Sequence, residues 1–222
     1  MLYLYHENAG KTELSLEGDA HRYIFKVRRH KVNDTLHLRN LEDGLLHCYL
    51  IASIDKHSVT LLLQVSRELE VKAKHSLHIG WCVIDPKSVE KVLPSLNEMG
   101  VEKITFIYCK RSQKSFKLDF KRLEKILLNS SQQSGRSSRM ILETSESLER
   151  FLDKYPDAKL LHFSTNRFIS YGTLDTIVVG CEGGFVQEEI DLFNSERVIG
   201  FNTSLVLKSE SAVCAVASKI LL

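Results

Sequence analysis

The stretch Val178-Val179-Gly180-Cys181-Glu182-Gly183-Gly184-Phe185-Val186-Gln187-Glu188-Glu189-Ile190 runs from an apolar segment, through a loop holding three glycines around one glutamate, into a helix-like segment. A short apolar run that turns directly into a helix is the repeating unit of an α/β domain. The unit recurs on both sides of it. From residue 75 onward the pattern predicts strands over HSLHIGWCVI (75–84), ITFIYC (104–109), KLLHF (159–163), TIVVG (176–180) and RVIGF (197–201). It predicts helices over SVEKVLPSLNEM (88–99), DFKRLEKILLNSSQQ (119–133), SLERFLDKY (147–155), VQEEIDLFN (186–194) and SESAVCAVASKILL (209–222). Ser88 and Ser209 are the expected N-caps of the first and last helices, Asp119 opens the second, and Gly100 stops the first. The strands are near-continuous apolar runs, as expected where both faces of a mostly parallel sheet are covered.

The first 70 residues read differently. Thr35-Leu36-His37-Leu38-Arg39 alternates in hydrophobicity, and LLHCYLIASI (45–54) and SVTLLLQVSREL (58–69) are strand-like. Glu42-Asp43-Gly44 has the composition of a hairpin turn. These features predict an all-β unit closed into a small barrel or curled sheet. The charged segment Glu70–Lys74 marks a boundary, giving domains at 1–72 and 73–222.

Composition narrows the function classes. With 222 residues, 43% apolar and 26% charged, the chain has the make-up of an ordinary globular protein with a real core. Its longest apolar runs are too short to span a bilayer, and MLYLYHENAG has no basic-then-apolar pattern of a signal peptide. Five scattered cysteines without C-x-x-C spacing argue against a zinc site and a disulfide framework, and point to a reducing cytoplasm. The net charge is only +2, but residues 101–140 carry ten Lys/Arg against three acids, and residues 141–222 carry seven against twelve. A second basic cluster, HRYIFKVRRHK, spans residues 21–31. Such clusters fit a polyanion partner, because affinity for nucleic acid comes largely from cations meeting phosphates; solvated charged faces give the same pattern.

The glycine loop matches neither G-x-G-x-x-G nor a P-loop. Glu182 within it disfavours phosphate and favours a ligand bearing hydroxyls or positive charge. Alone, G-x-E-G-G is more often a tight turn than a ligand site. It has company, however. LLHFST (160–165) and NTSLVLKSESA (202–212) also place polar residues just after strands, and three such strand ends can converge on one pocket.

GCEGGFVQEEI followed by LVLKSESA resembles the paired motifs G-P-E-G-G-[FL]-x-x-x-E-[IL] and R-[IV]-L-R-T-E-T-A of the bacterial RsmE-type methyltransferases. HRYIFKVRRHKVND is similar to that family's H-x-x-x-V-L-R-x-x-x-G-D, NEMGVEKI to its E-L-G-V-x-x-I, KRS (110–112) to its R-S after a strand, and QQSGR (132–136) to its E-Q-S-x-R. The resemblance runs over nearly the whole chain. It implies S-adenosylmethionine-dependent methylation of N3 of a uridine in 16S ribosomal RNA, on or near the small ribosomal subunit. It also implies a PUA-like β-barrel RNA-binding domain before a SPOUT-type α/β domain with a C-terminal trefoil knot, a cytoplasmic homodimer, and no metal or membrane. Other RNA targets, or an RNA-binding relative without catalysis, are the alternatives.

Residue by residue, the resemblance places the cofactor at Leu161, His162, Phe163 and Ser164, at Gly180, Glu182, Gly183 and Gly184, and at Asn202, Thr203, Leu205 and Leu207. Departures fall in these loops: Cys181 stands for proline, Thr203 for glycine, Leu205 and Lys208 for arginines, Ser209 and Ser211 for threonines, and Gln132 for glutamate. Lysine does not reproduce the arginine fork. Methylating N3 requires loss of its proton and stabilisation of charge spreading onto O2 and O4. Lys208 or Arg136 is the candidate for the charge, and Glu210 or a water for the proton. Arg22, Lys26, Arg28, Arg29, Lys31 and Arg111 are the candidate RNA contacts. Trp81 is simplest as core, and Cys181 has no His–Asp partner to make it a nucleophile.

Overall fold

Residues 2–167 and 174–222 are described by the computed structural model. Two compact units divide the chain. One comprises Met1–Lys72 with Ser131–Arg139, the other Ala73–Ser130 with Met140–Leu222.

In the first unit β1 (Leu4–Tyr5), β2 (Glu13–Glu17), β3 (Thr35–Arg39), β4 (Leu45–Ile54) and β5 (Ser58–Glu68) form one sheet in the order β1-β3-β4-β5-β2. The alternation seen in the sequence decides its faces: Leu36 and Leu38, with Leu14, Leu16, Tyr49, Ile51, Val59 and Leu61, fill one core. Register shifts between Cys48 and Tyr49, and between Ile51 and Ser53, curl the sheet, as bulges do. Gly44 closes the β3–β4 hairpin at φ 72°. The all-β expectation fails at one place. Gly18–Arg22 forms α1, and Tyr23–Val27 continues it as a π-helical turn. The basic cluster is therefore helical over His21–Val27, with the fully buried Ile24 anchoring it to the core.

Residues 131–139, assigned from sequence to 73–222, group with this first unit. The reason is hydrogen bonding to the chain start and to Val71: Tyr5 N–H donates to Gln132 Oε1 at 2.8 Å, the Tyr3 hydroxyl to the Arg136 carbonyl at 2.8 Å, and Ser137 N–H to the Val71 carbonyl at 3.1 Å.

The second unit holds β6 (Ser76–Cys82), α2 (Pro86–Met99), β7 (Lys103–Ile107), α3 (Phe120–Ser134, to Ser130 in this unit), β8 (Ile141–Ser145), α4 (Leu148–Lys154), β9 (Lys159–Leu161), β10 (Leu174–Val179), α5 (Gln187–Ile190), β11 (Val198–Ile199) and α6 (Ser209–Leu221). Its six strands are all parallel, in the order β11-β9-β10-β6-β7-β8. Leu77, Ile79 and Trp81 are fully buried, as are the neighbouring Ile177 and Val178, which explains the unbroken apolar runs. Asp119 Oδ1 accepts from Arg122 N–H at 3.1 Å and so caps α3. Gly100 ends α2 at φ 98°. Two caps differ from expectation. α2 begins at Pro86, ahead of Ser88, since proline suits a first helical turn. Lys208, not Ser209, holds the N-cap position of α6, because the Ser209 hydroxyl is engaged elsewhere.

A further correction concerns the cysteines. Cys82, at the end of β6, and Cys109, just past β7, form a disulfide with Cα atoms 5.8 Å apart. Pairing of Cys82 opposite Ile107 brings together two residues 27 apart in sequence, which no local spacing could show.

His78 lies buried on β6, its Nε2 2.8 Å from Thr105 Oγ1, with the Tyr155 ring edge-on at a centroid distance of 4.4 Å. Burial, reinforced by the Lys103 ammonium and opposed by Glu143, pushes its pKa down to about 4. An unfolded histidine titrates near 6.5, so between these values the unfolded chain binds more protons. Stability from this site is full above about pH 6.5 and is lost as pH falls towards 4, by up to about 3 kcal/mol. Thermal unfolding across that window should show a steeper loss in the wild type than in His78→Gln; identical profiles would clear His78 of the effect.

Candidate active site

Sequence places a turn after each parallel strand, and at the carboxyl ends of β7, β9, β10 and β11 these turns meet. They enclose a cavity of about 610 Å³, within the range that takes a small organic ligand. Leu161, His162, Phe163 and Ser164 come from the β9 end, and Gly180 to Phe185 from the β10 end. Phe201, Thr203 and Leu205 to Ser209 follow β11, and Arg111 follows β7. Of the cofactor positions named from sequence, Asn202 alone does not line the cavity. Lys208 and Arg111 do line it, whereas Glu210 and Arg136 do not. Glu210 stands in the first turn of α6. Arg136 is buried within the first unit. Arg22, Lys26, Arg28, Arg29 and Lys31 are all exposed on the first unit. Among the described residues no group of His, Cys, Asp and Glu is arranged to hold a metal.

The loops are fixed by a few polar contacts. Ser209 Oγ accepts from Trp81 Nε1 at 2.8 Å and donates to the Gly180 carbonyl, tying the start of α6 to β6 and to the end of β10. Glu189, 2% exposed, accepts from Lys110 N–H at 2.8 Å with one carboxylate oxygen and from Val186 N–H at 3.1 Å with the other. It thereby joins the loop after β7 to the glycine loop. Beside it Lys110 pairs with Glu188, and Arg111 donates from one terminal nitrogen to the Gly183 carbonyl at 2.7 Å. Gly184 takes a left-handed φ of 67° that side chains disfavour. Cys181 is buried, its sulfur 3.7 Å from the Gly184 carbonyl oxygen, and has no partner of the kind that activates a thiol.

Sequence reasoning missed Gly200. A Cβ there would stand 2.6 Å from the Ser164 carbonyl oxygen and 2.9 Å from its nitrogen, so only glycine lets the β11 turn close against the β9 turn. The single visible signal was a glycine inside the apolar run RVIGF. Val179, Cys181, Phe185, Phe201, Val206, Ser209 and Ala212 also line the cavity without having been singled out as ligand contacts.

Chemically the cavity divides in two. Leu161, Val179, Phe185 and Ala212 supply apolar wall, and burial holds the His162 imidazole below its ordinary pKa, keeping it neutral at physiological pH. At the rim stand Glu182, exposed and acidic, and the exposed cations Arg111 and Lys208.

A family model for the RNA methyltransferase domain matches residues 70–221. Ribosomal RNA small subunit methyltransferase E of Helicobacter pylori is 37% identical, with 98% of both chains covered. The chain belongs to this RNA methyltransferase family. The protein of the same name from Rickettsia conorii is 26% identical over all of this chain and 95% of its own. Among solved structures, a Legionella pneumophila methyltransferase in complex with the cofactor SAM superposes with a TM-score of 0.81 at 21% identity, covering 99% and 95% of the two chains. Ribosomal RNA small subunit methyltransferase E from Neisseria gonorrhoeae, bound to S-adenosyl methionine, gives 0.81 at 16% identity, over 98% and 95%. At those identities the structural likeness establishes the fold.

Ser209→Ala would leave the Trp81 indole N–H and the Gly180 carbonyl without their shared partner. The expected cost is on the order of 2–4 kcal/mol, read as a lowered midpoint in urea unfolding with an unchanged slope.

Proposed function

We propose that this chain is an S-adenosylmethionine-dependent methyltransferase acting on N3 of a uridine in 16S ribosomal RNA, within or near the small ribosomal subunit. The observation that carries it is the cavity formed where four strand ends meet, apolar within and cationic at its mouth, in a chain of this family. The residues present fit the cofactor. The apolar walls suit a purine face, the main chain of Gly180–Gly184 and His162–Ser164 offers groups to its edge, and the Glu182 carboxylate suits a cationic sulfonium or amino group. Thr203, Leu205 and Leu207 close the same side. S-adenosylmethionine, when bound, supplies the methyl group.

The chain's own residues do the rest. The cavity walls exclude water and hold the reacting atoms in line, which is where much of such a rate comes from. N3 of uridine becomes nucleophilic as its proton leaves, and negative charge then develops on O2 and O4. Lys208, exposed at the N-cap of α6 on the cavity lining, is the cation for that charge. Arg136 does not share this task in our reading, since it is buried and does not line the cavity. Glu210 lies off the cavity lining as well, which leaves the proton to water. Arg111, held through one nitrogen by the Gly183 carbonyl, has further donors for an RNA phosphate or the target base.

We also read residues 1–72 as a PUA-like β-barrel that binds RNA, and 73–222 as a SPOUT domain whose C-terminal segment is threaded as a trefoil knot. The strand path supports the knot. β11 lies at the sheet edge beside β9, yet the chain that follows it returns as α6 to pack on α2, β6 and β10 in the middle of the sheet. Exposed Phe163, Leu205 and Val206 beside the cavity fit a homodimer formed through this region. No described helix is long and apolar enough to cross a membrane; a ribosomal substrate fits a cytoplasmic protein.

The test is methyl transfer from labelled S-adenosylmethionine to undermodified small subunits. Label should appear as N3-methyluridine. Lys208→Ala should lower kcat by about 10²–10³-fold while calorimetric affinity for the cofactor stays near the wild-type value. Label at another nucleotide would change the target, and RNA binding without transfer would make the chain a non-catalytic relative.

A further inference from the structure

The segment Arg22–Val32 carries features that phosphate binding alone does not require. Phe25 is 46% exposed, and Val27 and Val32 beside it are 62% and 46% exposed. They stand among Arg22, Lys26, Arg28, Arg29 and Lys31, all exposed. Residues 21–31 hold no acid at all. Among the described residues none of the five cations makes an ion pair.

The local backbone is unusual where it presents these groups. Tyr23–Val27 is a π-helical turn, a form found mostly as single turns at functional sites. It is closed by Arg28 N–H donating to the Tyr23 carbonyl at 2.9 Å and by His30 N–H donating to the Ile24 carbonyl at 3.1 Å. Arg29 then adopts a φ of 57°, a costly conformation for a residue with a side chain.

The Phe25 ring is held in place. The His21 ring, one turn earlier and largely buried, lies nearly parallel to it at an interplanar angle of 14° and a centroid distance of 5.8 Å. His21 is itself fixed by Nε2, 3.0 Å from the Asp55 carbonyl oxygen. Ile24 roots the turn in the core, and Arg28 folds back, donating from Nε to the Tyr23 hydroxyl at 2.6 Å. An exposed aromatic ring with a fixed plane, on a segment that exposes five cations, is poorly suited to an apolar protein partner. Such a partner would have to desolvate five charges. A single-stranded nucleic acid offers both complements at once, a base with a π face and phosphates on either side.

We propose that Phe25 is a stacking platform for an unpaired nucleobase of the RNA substrate, with Arg22, Lys26, Arg28, Arg29 and Lys31 holding the flanking phosphates. The proposal rests on the reading of the chain as an RNA-modifying enzyme and adds to it a base contact on the first unit.

Binding of a short oligouridylate to the full chain tests it, measured over a range of salt concentrations. Phe25→Ala and Phe25→Leu should each weaken binding about tenfold with an unchanged salt slope, because no phosphate contact is lost. Phe25→Trp should retain affinity, and its indole emission should be quenched by the oligouridylate; the native Trp81 is fully buried and supplies a silent background. Lys26→Ala should instead reduce the slope by about one. Equal affinity of the wild type for the oligouridylate and for an abasic oligoribose-phosphate would overturn the proposal. So would an unchanged affinity in Phe25→Leu, or binding to apolar peptide in place of RNA. Failure of methyl transfer with the stacking signature intact would count against the enzymatic reading and leave the platform standing.

Discussion

One hydroxyl group fixes the geometry on which the cavity depends. Ser209 Oγ sits between the Trp81 indole and the Gly180 carbonyl, so three elements distant in sequence share one polar atom. β6 supplies the donor, the end of β10 the acceptor, and α6 the hydroxyl. Trp81 lies fully buried in the core, where an unpaired polar group is expensive. The start of α6 therefore cannot move without exposing that cost, and Lys208, the residue before Ser209, is held at the cavity mouth by the same constraint. An exposed lysine on a free loop would have no fixed place; here its backbone has one.

Glu189 acts in the same way on the opposite side. A carboxylate buried to 2% exposure is tolerable only because each of its oxygens accepts a backbone N–H, one from Lys110 and one from Val186. This brace sets Arg111 against the Gly183 carbonyl. At the third wall, Gly200 lets the β11 turn press on Ser164. The cavity is thus framed by close approaches and shared hydrogen bonds between loops, and the side chains that face a ligand are left free to do so. A binding site mounted on rigid loop-to-loop contacts gives precision that mobile loops would not.

How much of this was legible in the chain follows from how far each interaction reaches. Parallel strands buried on both faces announce themselves as apolar runs, which is why Leu77–Trp81 and Ile177–Val179 were readable. Asp119 and Gly100 act on their own helices, and their roles were readable too. Ser209 was not: local rules make it an N-cap, but its hydroxyl is claimed by partners 128 and 29 residues away. The same holds for Gln132 and Arg136, whose neighbourhood is set by Tyr3 and Tyr5 at the far end of the chain, and for the Cys82–Cys109 bond. Helix α1 with its π turn was hidden because only His21 and Ile24 are buried there, leaving no apolar periodic stripe to read. At the site, the glycine loop and the residues after β9 and β11 could be named from strand-end logic and the motif resemblance. Glu210 and Arg136 were named from the same motifs and from the charge and proton the reaction needs, which do not say whether a side chain lines this cavity; neither does.

Charge gives the same lesson on another scale. Residues 1–72 hold ten Lys/Arg and ten Asp/Glu, and the segment 131–139 adds two arginines to that unit. The other unit holds 18 of each sign. The first unit carries a net charge of only +2 and the second none, and the asymmetry between residues 101–140 and 141–222 does not divide along the structural units. Under physiological salt a charge acts over roughly 8 Å, so a phosphate responds to the few groups around it and not to a total. On the proposed reading the groups that would meet RNA are local: the five cations of Arg22–Lys31 on one unit, and on the other Arg111 at the cavity with Lys114, Lys117, Lys121 and Lys125, all exposed. Lys121 and Lys125 stand four residues apart and so share one face of α3. Units of near-zero net charge with concentrated basic clusters favour a polyanion at chosen places over the rest of the surface, which suits the proposed modification of one nucleotide in a large RNA.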